Sequence, residues 1–242
     1  MRRSHPALAA AASLVVALSG CQSTQDKSAK LKASGGKAFK EKGLEVRGKS
    51  SSVKVVSTQV LQDKNGSAAV VVLRSSAPRA MRSVPVEIDV RAPSGKSAFR
   101  NNEPGIEPSL TGPSVLEPGR DFAWVHDQVA APGKLASVKA IVGKEKGSVQ
   151  GSPPKLVVSP PRLQSDPASG TEATGTVFNR SKVDQRELVL YCVARKGSRI
   201  VAAGRGGIPR LKAGGKRAYQ IFFIGNPQGA RITVEAPPTT LQ

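Results

Sequence analysis

Few residues of this chain can do chemistry beyond ordinary acid and base exchange. Two cysteines and two histidines are spread over 242 residues. His5 lies in the opening segment, so only His126, in "FAWVHDQVA", belongs to the body of the chain. A multi-histidine metal site therefore cannot be assembled, and a Ser/His/Asp triad would have to rest on His126 alone. Asp127 follows His126, but successive strand residues point to opposite faces, so the pair predicts a surface-strand histidine rather than a catalytic dyad. Cys192 sits in the apolar run "ELVLYCVAR", which predicts a buried thiol acting as a small hydrophobe. Cys21 differs, because it closes the run of small apolar residues "ALSGCQST", where a thiolate is exposed to chemistry.

The residues before Cys21 set its context. "MRR" supplies a positive start and "PALAAAASLVVALSG" a short apolar stretch ending in small residues, the layout of an export signal. The stretch falls short of the roughly 20 residues needed to span a bilayer as a helix. Leu18-Ser19-Gly20-Cys21 resembles the bacterial lipobox. That resemblance implies cleavage between Gly20 and Cys21 and a lipid on the Cys21 thiol. Each buried methylene contributes about 0.8 kcal/mol, so two acyl chains would hold the chain on a membrane where one would not. The expected location is the cell envelope, anchored on the extracytoplasmic side. Gln22, which is not aspartate, points to the outer membrane if there are two.

Lys and Arg number 37 against 17 Asp and Glu, a formal net charge of +20, and loss of Arg2 and Arg3 with the leader leaves +18. Such an excess attracts phosphate-rich surfaces, anionic headgroups or acidic cell-wall polymers by long-range steering. Nucleic acid is not expected, since an exported chain rarely meets it. With Cys21 modified, Cys192 has no partner for a disulfide. No cofactor and no metal site are expected.

Residues 21–52 are rich in Lys, Ser and Gly with few large apolar residues, which predicts a flexible basic tether. Beyond it the texture becomes short β-branched runs broken by Pro and Gly. "VKVVSTQVL", "AAVVVLR", "VPVEIDVR", "DFAWVHDQV" and "LASVKAIV" form one set of strands, over residues 53–145. Residues 146–156, within "GKEKGSVQGSPPK", read as a linker. "KLVV", "EATGTVFN", "ELVLYCVAR", "RIVAAGRG", "RAYQIFFIG" and "ARITVEA" form a second set, over 157–238. Val86, Ile88 and Val90 alternate with Glu87 and Asp89, giving one apolar and one polar face. The sets also align with one another: Val86 with Leu188, Gly95 with Gly197, Gly119 with Gly214 and Trp124 with Tyr219. The expected fold is all-β, with two tandem antiparallel β-sandwiches after the tether.

In the second set, "GTVFN" (175–179), "LVLYC" (188–192) and "LKAGGKRAYQIFF" resemble the FxLYD-type immunoglobulin-like domain of bacterial surface proteins. Leu188 stands in place of the family's phenylalanine, Cys192 of its aspartate and Ala213 of its proline. The first set keeps Leu116-Glu117-Pro118-Gly119 but has "VEIDV" at the signature. The resemblance implies immunoglobulin-like sandwiches in a lipoprotein setting and brings no catalytic residue.

Three features bear on function. "LVLYCVA" is apolar on both faces, so Val189, Tyr191 and Val193 must be covered by the other domain, a loop or a partner, and they form a candidate partner surface. Arg195, Lys196, Arg199, Arg205, Arg210, Lys212, Lys216 and Arg217 run together without an acidic residue and form a candidate anion-binding rim. "GRGG" (204–207) lacks the Lys-Ser/Thr ending and the following helix of a phosphate loop. The expected function is a non-enzymatic binding or structural adaptor at the envelope, meeting an anionic polymer, headgroups or a protein. The alternative is a solute carrier with a pocket between the domains, lined by groups such as Trp124 and Tyr219.

Overall fold

The computed structural model describes residues 43–166 and 170–242. Cys21, the cleavage position at Gly20, and the expected tether up to residue 42 lie outside the described residues. The described chain is all-β apart from one 3-10 turn, Pro108–Leu110, and belongs to a single compact unit, Glu41–Gln242.

In the N-terminal half the strands are β1 (Val53–Asp63), β2 (Gly66–Ser75), β3 (Met81–Arg82), β4 (Val86–Arg91), β5 (Ser97–Arg100), β6 (Val115–Leu116), β7 (Asp121–His126) and β8 (Ser137–Val142). The C-terminal half adds β9 (Leu156–Val158), β10 (Arg162–Asp166), β11 (Gly170–Asn179), β12 (Gln185–Lys196), β13 (Arg199–Leu211), β14 (Lys216–Phe222), β15 (Ile224–Gly225) and β16 (Arg231–Glu235). The predicted runs all become strands. Pairing within the sheets is antiparallel throughout.

The connectivity occurs twice. One sheet of the first half runs β1-β2-β7 and the other β5-β4-β8; in the second half β10-β11-β14 and β13-β12-β16 repeat those pairings. The aligned glycines fall at equivalent turns: Gly95 and Gly197 link β4 to β5 and β12 to β13, and Gly119 and Gly214 precede β7 and β14. All four have φ between 60° and 79°, where a Cβ is unfavourable.

Burial shows how the sheets stack. β4 alternates, with Val86, Ile88 and Val90 fully buried and Glu87 and Asp89 half-buried, as a strand with one solvated face should. β2 does not, since every residue from Ser67 to Leu73 is buried. β12 is likewise buried from Leu188 to Ala194, with its two faces in different cores. Leu188, Leu190, Cys192 and Ala194 pack with Ala173, Val177, Tyr219 and Ile221 of the facing β11–β14 pair. Val189, Tyr191 and Val193 join the core of the first half, with Val70, Phe122, Trp124 and Val125. The β1-β2-β7 and β13-β12-β16 sheets are thus inner layers whose strands β2, β7 and β12 are covered on both sides, while β1 and β16 stay partly open, and the halves share one hydrophobic core.

The glycines of "GRGG" serve this packing. A Cβ on Gly204 would lie 2.0 Å from the Phe222 carbonyl oxygen, and one on Gly206 would lie 2.8 Å from the Ile221 side chain. Close approach of β13 to β14 therefore demands bare backbone at these positions. Gly207 meets nothing within 4 Å.

Both ends of the described chain are tied down. Ser50 N–H donates to the Val142 carbonyl, Lys49 bridges Gly143, and Val46 N–H donates to Glu87, so residues 46–50 of the expected tether run along the first half. At the other end fully buried Gln185 accepts from the Thr239 and Thr240 amides and donates to the Thr240 carbonyl. Ser114 donates to the Pro238 carbonyl, and Leu241 packs on Ala80, Val115 and Val149, so this strap crosses from the second half to the first.

Candidate functional site

The seam between the halves is the richest polar region. Tyr191 and Arg205 are directly paired across β12 and β13, which puts both side chains on the face turned toward the first half. The first half answers with the end of β7 and the 3-10 turn. Fully buried Asn101 holds that turn: it accepts from the Ile88 amide and donates to the Val86 and Leu110 carbonyls at 2.8 and 2.9 Å. The Ser109 carbonyl then accepts from Trp124 Nε1 at 2.8 Å and from the Tyr191 hydroxyl at 3.4 Å.

Arg205 is the charged centre of this seam, with only 7% of its side chain exposed. Its Nε lies 2.8 Å from Asp127, its Nη1 lies 3.7 Å from Glu107, and Nη1 also donates to the Ser109 hydroxyl. Ser109 in turn donates to Glu107. A charge removed from water this far is tolerable only when paired, so the three partners fix how β13 meets β7. Burial raises the Tyr191 phenol, which stays protonated and donating.

His126 is not on the surface. It is 1% exposed, beside Phe99 at 5.1 Å and Trp124 at 6.0 Å between ring centroids, with neither ring nitrogen hydrogen-bonded. The physical reason is alternation: Phe122, Trp124 and His126 share the inner face of β7. Burial first, and the Arg205 charge second, push its pKa down to about 4, so the ring is neutral at physiological pH. Cys192 is a buried free thiol as expected, pushed up by burial to about 12.

Val189, Tyr191 and Val193 are not an open partner surface. They are 9%, 3% and 3% exposed because the first half covers them. Each contributes roughly 1.5–3 kcal/mol to holding the halves together. Trp124 and Tyr219 are also core residues, 0% and 5% exposed, and Tyr219 donates to the Ser159 carbonyl.

The eight basic residues of the predicted rim do not converge. Arg195, Lys196 and Arg199 sit at the β12–β13 hairpin turn, and Arg210, Lys212, Lys216 and Arg217 at the opposite end. With a rise of about 3.3 Å per residue the length of β13 separates the groups by about 40 Å. Arg205 is buried between them, and Arg210 is paired with Asp184 at 2.7 Å.

A groove of about 710 Å³ opens beside the Arg205 cluster, where both halves contribute walls. Pro85, Pro108 and Pro113 line one side, Val189 and Tyr191 the floor, and Thr239 and Thr240 of the strap the other side. Its edge carries Lys146 and Arg186 together with Glu107 and Glu187. Ser83 and Glu187 both line it with φ of 47°, a left-handed backbone that costs a non-glycine residue on the order of 1 kcal/mol. Glu107, Ser109, Asp127 and Asn101 carry the seam and the groove wall, and their sequence neighbourhoods give no sign of it. Among the described residues no three His, Cys, Asp or Glu side chains gather as a metal site.

No protein-family model and no curated protein matches the chain.

Proposed function

We propose that the protein is an extracytoplasmic envelope lipoprotein, held by acyl chains on Cys21, whose two immunoglobulin-like halves act together as a non-enzymatic binding adaptor. The observation that supports this reading most is the shared core. Sheets buried on both faces and a buried Arg205–Asp127 pair make one pre-organised body, so a partner gripping both halves loses little ordering entropy on binding. Tethering raises the body's effective concentration at the envelope, where weak contacts suffice. Its partner is an anionic polymer, lipid headgroups or an envelope protein. Two measurements test the reading. Intact-mass analysis of the membrane-extracted protein should show acyl mass beginning at Cys21, and Cys21→Ala should release the chain. Photo-crosslinking in cells from Glu187 on the groove edge should then capture a partner that crosslinking from Gln220 does not; a soluble, unmodified chain that captures nothing refutes it.

The groove also supports a second reading, a carrier for a small solute, because about 710 Å³ is the size of many ligand sites. A small molecule retained through native extraction, identified by mass spectrometry and lost when Val189→Trp fills the floor, would favour it over the adaptor.

A further inference from the structure

Three backbone segments that are distant in sequence form a small ladder at one end of the first half. Residues 143–148 run between residues 47–50 and residues 81–83. Lys49 bridges Gly143, and the Lys144 amide donates to the Gly48 carbonyl; on the other side the Lys146 amide donates to the Arg82 carbonyl and Met81 bridges Ser148. The ladder brings together Arg47, Lys49, Arg82, Lys144 and Lys146, all exposed. Its acidic residues are Glu45, which holds Arg47 at 2.9 Å, and Glu145, and Glu87 stands opposite Ile141 across β4 and β8, where it accepts from the Val46 amide. Among the described residues, no ion pair involves Lys49, Arg82, Lys144 or Lys146. Just before the ladder on β8 stands Ile141, 41% exposed, one of four exposed large apolar side chains among the described residues.

We infer that this ladder is a docking face for an anionic lipid bilayer, with Lys49, Arg82, Lys144 and Lys146 over the headgroups and Ile141 as an apolar foothold. Two features favour a membrane over a soluble polyanion. The first is position: the described chain begins at Gly43, six residues before Lys49, so on the lipoprotein reading the ladder includes the segment that leads from Cys21 into the body. The second is composition, since cations with no ion pair among the described residues, beside an exposed aliphatic side chain, suit a surface that is charged outside and apolar beneath. The location rests on the lipoprotein reading above; the affinity of the face for lipid does not.

The chain from residue 21 onward, with Cys21→Ser so that no acyl chain is present, is mixed with vesicles of phosphatidylcholine containing about one third phosphatidylglycerol, and with vesicles of phosphatidylcholine alone. Sedimentation should show binding to the anionic vesicles only, weakening as salt rises from about 0.05 to 0.3 M. Each basic residue near a charged surface is worth about a fivefold change in affinity, so combining Lys49→Gln, Arg82→Gln, Lys144→Gln and Lys146→Gln should weaken binding by on the order of several hundredfold. A control combining Arg162→Gln, Lys196→Gln, Arg199→Gln and Lys216→Gln removes the same net charge elsewhere and should stay within a few-fold of the unsubstituted chain. Equal losses in both variants would assign the effect to net charge and overturn the inference. So would an unchanged affinity in the ladder variant, or binding to inorganic polyphosphate with none to vesicles. Because the test chain is unacylated, failure here leaves the Cys21 mass measurement standing, and failure of that measurement leaves this one standing.

Discussion

Acidification should loosen the fold through His126. The ring is buried without a hydrogen-bond partner, and its pKa falls from 6.5 to about 4 in the folded protein. Above pH 6.5 it is neutral in both folded and unfolded chains and makes stability insensitive to pH. As pH falls, the unfolded chain takes up the proton first, so stability drops, and the loss is complete only below about pH 4. The linkage relation gives a loss of about 2 kcal/mol at pH 5 and about 3 kcal/mol at pH 4, from a 2.5-unit difference at 1.36 kcal/mol per unit. Glu235, pushed up by burial, works in the opposite direction, gaining as pH falls. Asp184, held low chiefly by the Ala213 amide and then by Arg210, loses its contribution only below the ordinary carboxylate range. The decisive quantity is therefore a difference between proteins. Urea unfolding of the wild type and of His126→Phe would be followed at several pH values between about 7.5 and 4.5. The substitution keeps a flat ring beside Phe99 and Trp124, removes two unsatisfied nitrogens, and should flatten the pH dependence while leaving stability at neutral pH equal or higher. Identical pH slopes for the two proteins would refute the reasoning.

Three other outcomes are expected. Gly204→Ala forces a Cβ against the Phe222 carbonyl and should destabilise by about 3 kcal/mol or prevent folding, while Gly207→Ala, with open space, should stay within about 0.5 kcal/mol by thermal unfolding. Asp127→Ala removes the nearer of the two carboxylates from the buried Arg205, leaving Glu107 at 3.7 Å and the Ser109 hydroxyl, and should cost about 2–3 kcal/mol; adding Arg205→Met should restore most of that loss, and a double variant no better than the single would contradict the assignment. Cys192, buried and pushed up to about 12, should resist maleimide in the native protein and react at the rate of unfolding in denaturant.

Much of the fold is legible in the sequence, because local signals carry it. Alternation in "VEIDV", β-branched runs and turn glycines placed the strands, and the two-faced apolarity of "LVLYCVA" announced a covered surface. What covers it is not local: Val70, Phe122 and Trp124 lie more than 60 residues away in sequence. The same holds for Arg205, which reads as one cation in a basic run because Asp127 and Ser109 are 78 and 96 residues distant. Short strands such as β5 and β10 escape notice since their largely exposed faces leave little apolar pattern. His126 was within reach, as the Phe122, Trp124, His126 alternation carries its inward direction. The "GRGG" glycines look like loop residues, and only the approach of β14 explains them inside a strand.

The doubly covered inner sheet also sets a timetable. When β7 has been made, the face of β2 and β7 that Val189, Tyr191, Val193 and Ile224 will cover is complete but bare, and Ile224 follows about a hundred residues later. At roughly 5–20 residues per second that interval lasts on the order of 5–20 s. Throughout it the nascent first half carries an uncovered apolar face, and only the arrival of its own second half closes it.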